Sequence, residues 1–269
     1  MHMPSVEPVW TDEVLDFAQG LASQARTIAL RWFRHQPDIE LKADDSPVTV
    51  ADRGVEAFLR DEIARRYPNH GLLGEEFGMQ AGDAEVLWSI DPIDGTRSFI
   101  TGNPLWGCLL AVLHQQQPLI GIVDIPYMAE RWVAVRGRGC WLNGERCRTS
   151  KTTDLAQAVL QSTSPDLFSD ADLQAFEHLS KAVHLRRFGG DCYAYALLVS
   201  GYVDLVVETR LMPYDYLPLI PLIQEAGGVI TDWQGQPLGL GSDGRVVAAA
   251  NAVLHRQALA RLTAQATGC

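Results

Sequence analysis

The hydrophobic period of the chain changes twice, and that change sets the kind of fold open to it. Residues 12–35 place Val14, Ala18, Leu21, Ala22, Ala25, Ile28, Ala29, Trp32 and Phe33 at helical spacing. Asp12 and Glu13 suit the first turn of that helix, Arg34 and His35 the last, with Pro37 beyond. Residues 52–66 repeat the pattern through Val55, Phe58, Leu59 and Ile63, and stop at a Tyr67-Pro68-Asn69-His70-Gly71 turn. Short β-prone runs follow at Leu72-Leu73, 86–90, 107–113, 119–125 and 131–135, with HQQQP as a hairpin connection. Past Asn143-Gly144 the two periods alternate: a strand at 157–162, helices at 170–181 and 191–200, a strand at 203–208, a helix at 215–226 and a strand at 229–232. Pro218 falls in the opening turn of the 215–226 helix, whereas Pro221 is expected to kink it. With no long linker and no internal repeat, the pattern predicts an α/β (α+β) protein of stacked helix and sheet layers. Residues 1–269 are expected to form one unit, with a seam near residue 150 between an N-terminal and a C-terminal half.

A chain of 269 residues has ample material for a core. Its 33 acids against 22 bases give a net charge of −11, which argues against a nucleic-acid partner. The five cysteines (Cys108, Cys140, Cys147, Cys192, Cys269) are odd in number and irregularly spaced, with no CxxC pair. Reduced thiols, rather than a disulfide framework or structural zinc, are therefore expected. The opening MHMPSVEPVW lacks a signal-peptide core, and no apolar run reaches 18 residues, so a cytoplasmic chain with no membrane partner is expected.

Three acidic sites deserve comparison. In WSIDPIDGTRSF the apolar run 86–90 delivers Asp91 at its end, Pro92 restricts the backbone and Gly95 lets it turn. Asp91, Asp94 and the Ile93 carbonyl can then face one point, an oxygen-rich setting suited to a hard divalent cation. The same stretch also reads as an ordinary turn, with Asp94 in an Asp-Gly pair. Glu75-Glu76 follows Gly74 at the end of another apolar run, and by itself is a solvated loop. Asp215 stands before a helical run, where it also suits an N-cap.

Taken in order, GEE, then DPIDGT with Asp91 sixteen residues after Glu75, then an Asp ahead of a helix ending in EAGG, resembles the inositol monophosphatase superfamily of Mg²⁺-dependent phosphatases. The resemblance spans Lys42 to Gly228 and implies a layered α-β-α-β-α sandwich that forms a homodimer. It implies two Mg²⁺ ions, or three, held by Glu75, Asp91, the Ile93 carbonyl, Asp94 and Asp215. It further implies that Asp52 and Thr96, with Glu75, prepare the attacking water, and that the Gly95 and Thr96 amides meet the phosphate. Lys42, Thr49 and Glu76 would support the site. No protein nucleophile is implied. One departure stands out: the family usually has Trp before its last metal aspartate, and this chain has Tyr214.

The segment 186–215 occupies the place where family members contact their alcohol. Aligned on the eleven-residue interval from Asp204 to Asp215, Asp191 falls where inositol-specific members carry a small residue, and Glu208 at a substrate-contacting acid. Two extra acids suit a cationic leaving group better than a polyol. With ERW, GGDCYAY and PYD, this looks like the histidinol-phosphatase branch, whose substrate carries an amine and an imidazole. Asp191 also reads as an N-cap, and Glu208 as an edge-strand surface charge. Arg97 is placed at the phosphate or at a partner subunit. Trp106, Trp132 and Tyr193 suit the core or the substrate pocket, while His35, His70, His114, His178 and His184 show no metal spacing. The competing expectations are an inositol-1-phosphate or broad-specificity phosphatase, and a family member that chiefly binds a macromolecular partner.

Overall fold

A computed structural model describes residues 10–35, 39–41 and 47–264. Helix α1 (Thr11–Leu30) leads into a small antiparallel pair, β1 (Ile39–Leu41) and β2 (Pro47–Thr49), and then α2 (Val50–Arg66). Next come β3 (Gly71–Gly74), β4 (Gly78–Gln80), β5 (Val86–Asp94), the short α3 (Thr96–Ile100), β6 (Gly107–His114), β7 (Gln117–Ile125), β8 (Glu130–Val135), β9 (Gly139–Leu142) and β10 (Glu145–Arg146). The remainder forms β11 (Val159–Ser162), α4 (Asp170–Ser180), β12 (Leu185–Phe188), α5 (Cys192–Val199), β13 (Leu205–Glu208), α6 (Pro213–Tyr216), α7 (Leu219–Ala226), β14 (Val229–Thr231), β15 (Val246–Ala249) and α8 (Ala252–Leu262). No helix among the described residues is long and apolar enough to cross a membrane.

Among the described residues, eight strands form one sheet in the order β10-β9-β8-β7-β6-β5-β3-β4, and five form another in the order β12-β11-β13-β15-β14. Their side chains alternate between faces, as a period of two requires. On β6, Cys108, Leu110 and Val112 pack against α1 and α2, while Leu109, Ala111 and Leu113 face α5 and α7. In the second sheet, Val206, Val246 and Ala248 face those same two helices, while Leu205, Val207, Val247 and Ala249 face α4 and α8. Five layers follow from this two-sided burial: α1/α2, the larger sheet, α5/α7, the smaller sheet, α4/α8. The predicted α-β-α-β-α sandwich is what forms. Helix α5 has no polar face (CYAYALLV) because both of its sides are covered.

Helix α1 is fastened to the larger sheet by charge as well as packing. Asp124 of β7 is fully buried and takes Arg26 of α1 through two hydrogen bonds (2.9 and 2.6 Å) and Arg131 of β8 through one (2.6 Å). Removing either arginine would leave a buried carboxylate short of charge, a loss of about 3–5 kcal/mol where such a pair is broken.

Several expectations are corrected. Helix α1 stops at Leu30, and turns occupy 31–34. Arg34 takes a left-handed φ of 64° and gives Nε and Nη2 to the Gly102 carbonyl (3.0 and 2.9 Å), a backbone that cannot prolong a right-handed helix. The helix expected at 215–226 is two helices. The break falls at Pro218, the N-cap of α7, and not at Pro221, which is third in α7, where a backbone N–H has no helical partner to lose. Strand β5 does not end at residue 90 but runs to Asp94 through an irregularity opposite β6. Glu208 is no edge charge: β13 lies mid-sheet, and the residue is 2 % exposed. Trp106 is fully buried, 5.2 Å from Phe33 and 4.8 Å from Phe99 between ring centroids, and Trp132 gives its Nε1–H to Ser200 Oγ. Both tryptophans belong to the core, and Tyr193 packs edge-on against Trp132.

Candidate active site

The DPID segment is a bulge built to aim carboxylates. Asp91 still pairs with Leu109 and Asp94 with Gly107, but the register shifts between them. Pro92 has no N–H for the ladder, and the Ile93 N–H turns to Asp91 Oδ1 at 3.1 Å. Gly95 follows at φ +84°, and a Cβ there would sit 2.8 Å from Asp191 Oδ2, so both backbone and space call for glycine. Thr96 then opens α3, with Oγ1 3.1 Å from the Ile93 carbonyl and 3.3 Å from Asp52 Oδ1.

Helix α2 supplies the wall beneath. Thr49 and Asp52 form a capping box: Asp52 Oδ2 accepts Thr49 N–H at 2.8 Å and Thr49 Oγ1–H at 2.6 Å, while Thr49 Oγ1 accepts Ala51 N–H at 3.1 Å. One turn on, buried Glu56 accepts Glu76 N–H (2.7 Å) and Phe77 N–H (3.2 Å) and pairs with Arg60. A Cβ at Gly74 would collide with the Glu56 carboxylate, so that glycine lets the Glu75-Glu76 loop close onto α2.

The second half completes the site. Asp215 is not an N-cap but the third residue of α6, and its Oδ2 reaches back to accept Met212 N–H at 2.7 Å. Asp191 occupies the N-cap position of α5 at φ +46° without capping the helix through its side chain. Its carboxylate accepts Ser98 Oγ–H at 2.8 Å instead, across the seam. The first N–H of α5, on Cys192, goes to Asp94 Oδ2 at 2.6 Å. Glu208 Oε1 accepts both the N–H and the Oγ1–H of Thr163, at 2.8 and 2.9 Å.

The result is a concentration of like charge. Asp91, Asp94 and Asp215 each offer an oxygen within 4.8 Å of the others. Two unit charges at 4.8 Å repel by about 3 kcal/mol even at an effective dielectric near 20, so the cluster calls for protons or cations. Burial, then Glu75, Asp94 and Asp215, push Asp91 well above the usual carboxylate range. Burial and then Asp191 bring Asp94 up to about 7, and burial with Asp94 raises Asp215. Glu75 stands within hydrogen-bonding reach of Asp91. An all-carboxylate, largely buried donor set with these mutual repulsions fits a hard divalent cation. Asp52 is raised by burial, against the pull of its Thr49 hydrogen bonds.

Beside the cluster lies a cavity of about 140 Å³ lined by Asp94, Asp215, Asp191, Glu208, Thr163 and Tyr195, with leucines closing its sides and, among the described residues, no base in its lining. Burial pushes Glu208 up to about 8, against the Thr163 hydrogen bonds. Burial also raises Asp191, while Ser98 and Arg97 pull it down. Arg97 itself is exposed on α3 and acts on Asp191. Tyr214, at the position of the family's tryptophan, is partly buried, and its phenol is raised by burial and then by Glu75 and Asp215.

Glu75, Asp91, Ile93, Asp94, Thr96, Asp52 and Asp215 thus meet at one place, with Gly95, Asp191 and Glu208 beside them. Lys42 lies outside the described residues. Sequence reading did not single out Glu56, Ser98, Thr163 or Tyr195. Helical spacing carried one of them, since Glu56 is one turn from Asp52, whereas Asp191 stands outside α5 at φ +46° and gives no helical register to Tyr195. Ser98 and Thr163 bond to residues 93 and 45 positions away, and no local pattern announces such pairs.

The Inositol monophosphatase family model matches residues 10–267. A bifunctional phosphatase IMPL2, chloroplastic, of Arabidopsis thaliana is 42% identical over 260 residues, 93% of this chain and 75% of that one. A histidinol-phosphatase of Mycobacterium tuberculosis is 36% identical over 232 residues, 84% of this chain and 88% of that one. A solved inositol monophosphatase of Zymomonas mobilis superposes with a TM-score of 0.87 at 39% identity, covering 95% of this chain and 99% of its own.

Proposed function

The chain belongs to the inositol monophosphatase family, and on that footing we propose that it is a Mg²⁺-dependent phosphomonoesterase converting L-histidinol phosphate and water to L-histidinol and phosphate. One observation carries the substrate: the cavity next to the acidic cluster is walled by Asp191 and Glu208, and among the described residues its lining has no base. Carboxylates in a partly dry pocket favour a cationic alcohol carrying N–H donors, and a polyol gains far less from them. The M. tuberculosis histidinol-phosphatase supports the reading.

Glu75, Asp91, Asp94, Asp215 and the Ile93 carbonyl would hold the magnesium, two ions or three. Bound there, magnesium supplies the positive charge that hydrolysis of a phosphate monoester requires. The chain's own groups do the rest. Thr96 Oγ1 donates to the Ile93 carbonyl or to Asp52 Oδ1, leaving a lone pair to orient the attacking water. Asp52, raised by burial, is a stronger base than a free aspartate and takes the water's proton through Thr96. The Gly95 and Thr96 amides receive the phosphate oxygens, with Arg97 alongside. Asp191 and Glu208 hold the leaving group in line. Glu56, Glu76 and Thr49 brace these parts. The whole chain acts as one catalytic unit, as a homodimer in the cytoplasm, in histidine biosynthesis.

A second reading is an inositol-1-phosphate phosphatase, favoured by the Zymomonas mobilis neighbour. Phosphate release in Mg²⁺ from histidinol phosphate, inositol 1-phosphate and fructose 1,6-bisphosphate separates the two. The highest kcat/KM is expected for histidinol phosphate. The highest value for inositol 1-phosphate would overturn the substrate and leave the reaction class standing.

A further inference from the structure

Tyr195 is 3 % exposed, and among the described residues its hydroxyl has no hydrogen-bond partner. A phenylalanine would fill the same space without burying an unpaired O–H, which costs about 1–3 kcal/mol. An acceptor entering the cavity that Tyr195 lines would supply the missing partner.

The surroundings say what that is. Tyr195 of α5 and Asp191, the residue just before that helix, line the same cavity. Glu208 forms another wall, and the donors of Thr163 are already committed to it. Leu109, Leu167, Leu211 and Leu219 supply apolar surface for the flat faces of a ring. Burial and then Glu208 hold the phenol protonated, so it is a donor placed among acceptors. A neutral azole needs that combination: one ring nitrogen donates and takes a carboxylate, the other accepts and takes an O–H.

We propose that Tyr195 is a specificity-determining residue whose Oη–H donates to the unprotonated ring nitrogen of a bound imidazole while Glu208 accepts from the other. The assignment rests on the histidinol-phosphate reading. It adds that the ring binds neutral, clasped between one donor and one acceptor, with the substrate's ammonium left to Asp191.

The test is Tyr195→Phe in the full-length Mg²⁺-loaded enzyme, with histidinol phosphate and β-glycerophosphate as substrates and thermal melting of the substrate-free protein. The ratio of kcat/KM between the two esters should fall about tenfold, the size expected for one lost hydrogen bond, with the loss in KM for histidinol phosphate. The melting temperature should rise, because an unpaired buried hydroxyl has gone. A hydroxyl with a merely structural role predicts the opposite sign in the melt. An unchanged ratio, or a lowered melting temperature, would overturn the assignment. If the wild-type enzyme prefers inositol 1-phosphate to histidinol phosphate, the substrate reading has failed first. If it prefers histidinol phosphate and the Phe variant matches its selectivity, Tyr195 alone has been misassigned.

Discussion

Asp94 Oδ2 accepts the backbone N–H of Cys192 at 2.6 Å, joining the acidic bulge of the larger sheet to the start of α5 in the other half. The first N–H groups of a helix have no partner within it, and the helix dipole favours an acid there. One oxygen of Asp94 is thereby occupied, and Asp94 still offers an oxygen to the cluster with Asp91 and Asp215. The position of α5, and of the pocket residues it carries, is tied to an acid proposed to hold metal.

That double duty makes Asp94→Asn an informative change. The amide oxygen of Asn can still accept the Cys192 N–H, so α5 keeps its anchor while one negative charge disappears. Mg²⁺-dependent phosphate release is expected to fall about a hundredfold or more, the scale seen when one preorganised electrostatic group is removed. The melting temperature in EDTA should hold or rise, since a repelled carboxylate has been neutralised. Wild-type turnover with unaltered Mg²⁺ dependence would take Asp94 out of the proposed role.

Stability without metal should depend on pH in a direction the acids dictate. Unfolded carboxylates titrate near 4, whereas Asp94 is raised to about 7 and Glu208 to about 8 in the fold, with Asp91, Asp215 and Asp191 also raised. Over that interval the native state binds more protons than the unfolded state, so the contribution of these groups to stability is lost as pH rises from about 4 to about 8. In EDTA the melting temperature should drop between pH 5 and pH 8, and Mg²⁺ should recover most of the drop at pH 8. Melts that are level across this range in EDTA would show that the cluster is not strained.

Thr49 links helix stability to the proposed base. It caps α2 and gives two hydrogen bonds to Asp52 Oδ2, both of which pull the Asp52 pKa down. Thr49→Ala keeps the N–H bond but loses the hydroxyl, costing about 1 kcal/mol of stability as a lost cap. Without that donor the Asp52 pKa climbs further, so the acid limb of the pH–rate profile should move to higher pH. Thr49→Ser should restore both properties. If Thr49→Ala lowers the melting point yet leaves the acid limb in place, Asp52 is not the group whose ionisation limits the rate.

The alternation of helix and strand and the turning point at DPIDGT were legible in the sequence because each rests on local chemistry, but the bulge that carries β5 on to Asp94 was not. Two-residue and helical periods name the faces of a strand or helix, and Pro92 and Gly95 mark where the chain must turn. Helix boundaries were less legible. Pro218 and Pro221 both oppose helix formation in an unaligned string, and only the packed structure shows that the chain pauses at Pro218, so that Pro221 falls in a first turn. Asp215 was placed at the right helix but at the wrong step, because it is third in α6 and its side chain reaches back to accept the Met212 N–H. What could not be read at all was which distant partners meet. Asp191 looks like a helix cap from its neighbours, and its side chain goes to Ser98 in another layer. Glu208 looks like a surface charge until β11 and β15 are laid on either side of β13.

The two sheets share no strand, and the acids that converge lie on opposite sides of that division, Asp215 trailing Asp94 by 121 positions. During synthesis, a ribosome-bound chain that has finished the larger sheet therefore owns most of a reaction centre that cannot yet react. On the proposed assignment turnover begins only when the late-made portion docks, which would make phosphate release a direct readout of complete assembly for any truncated, permuted or split version of this polypeptide.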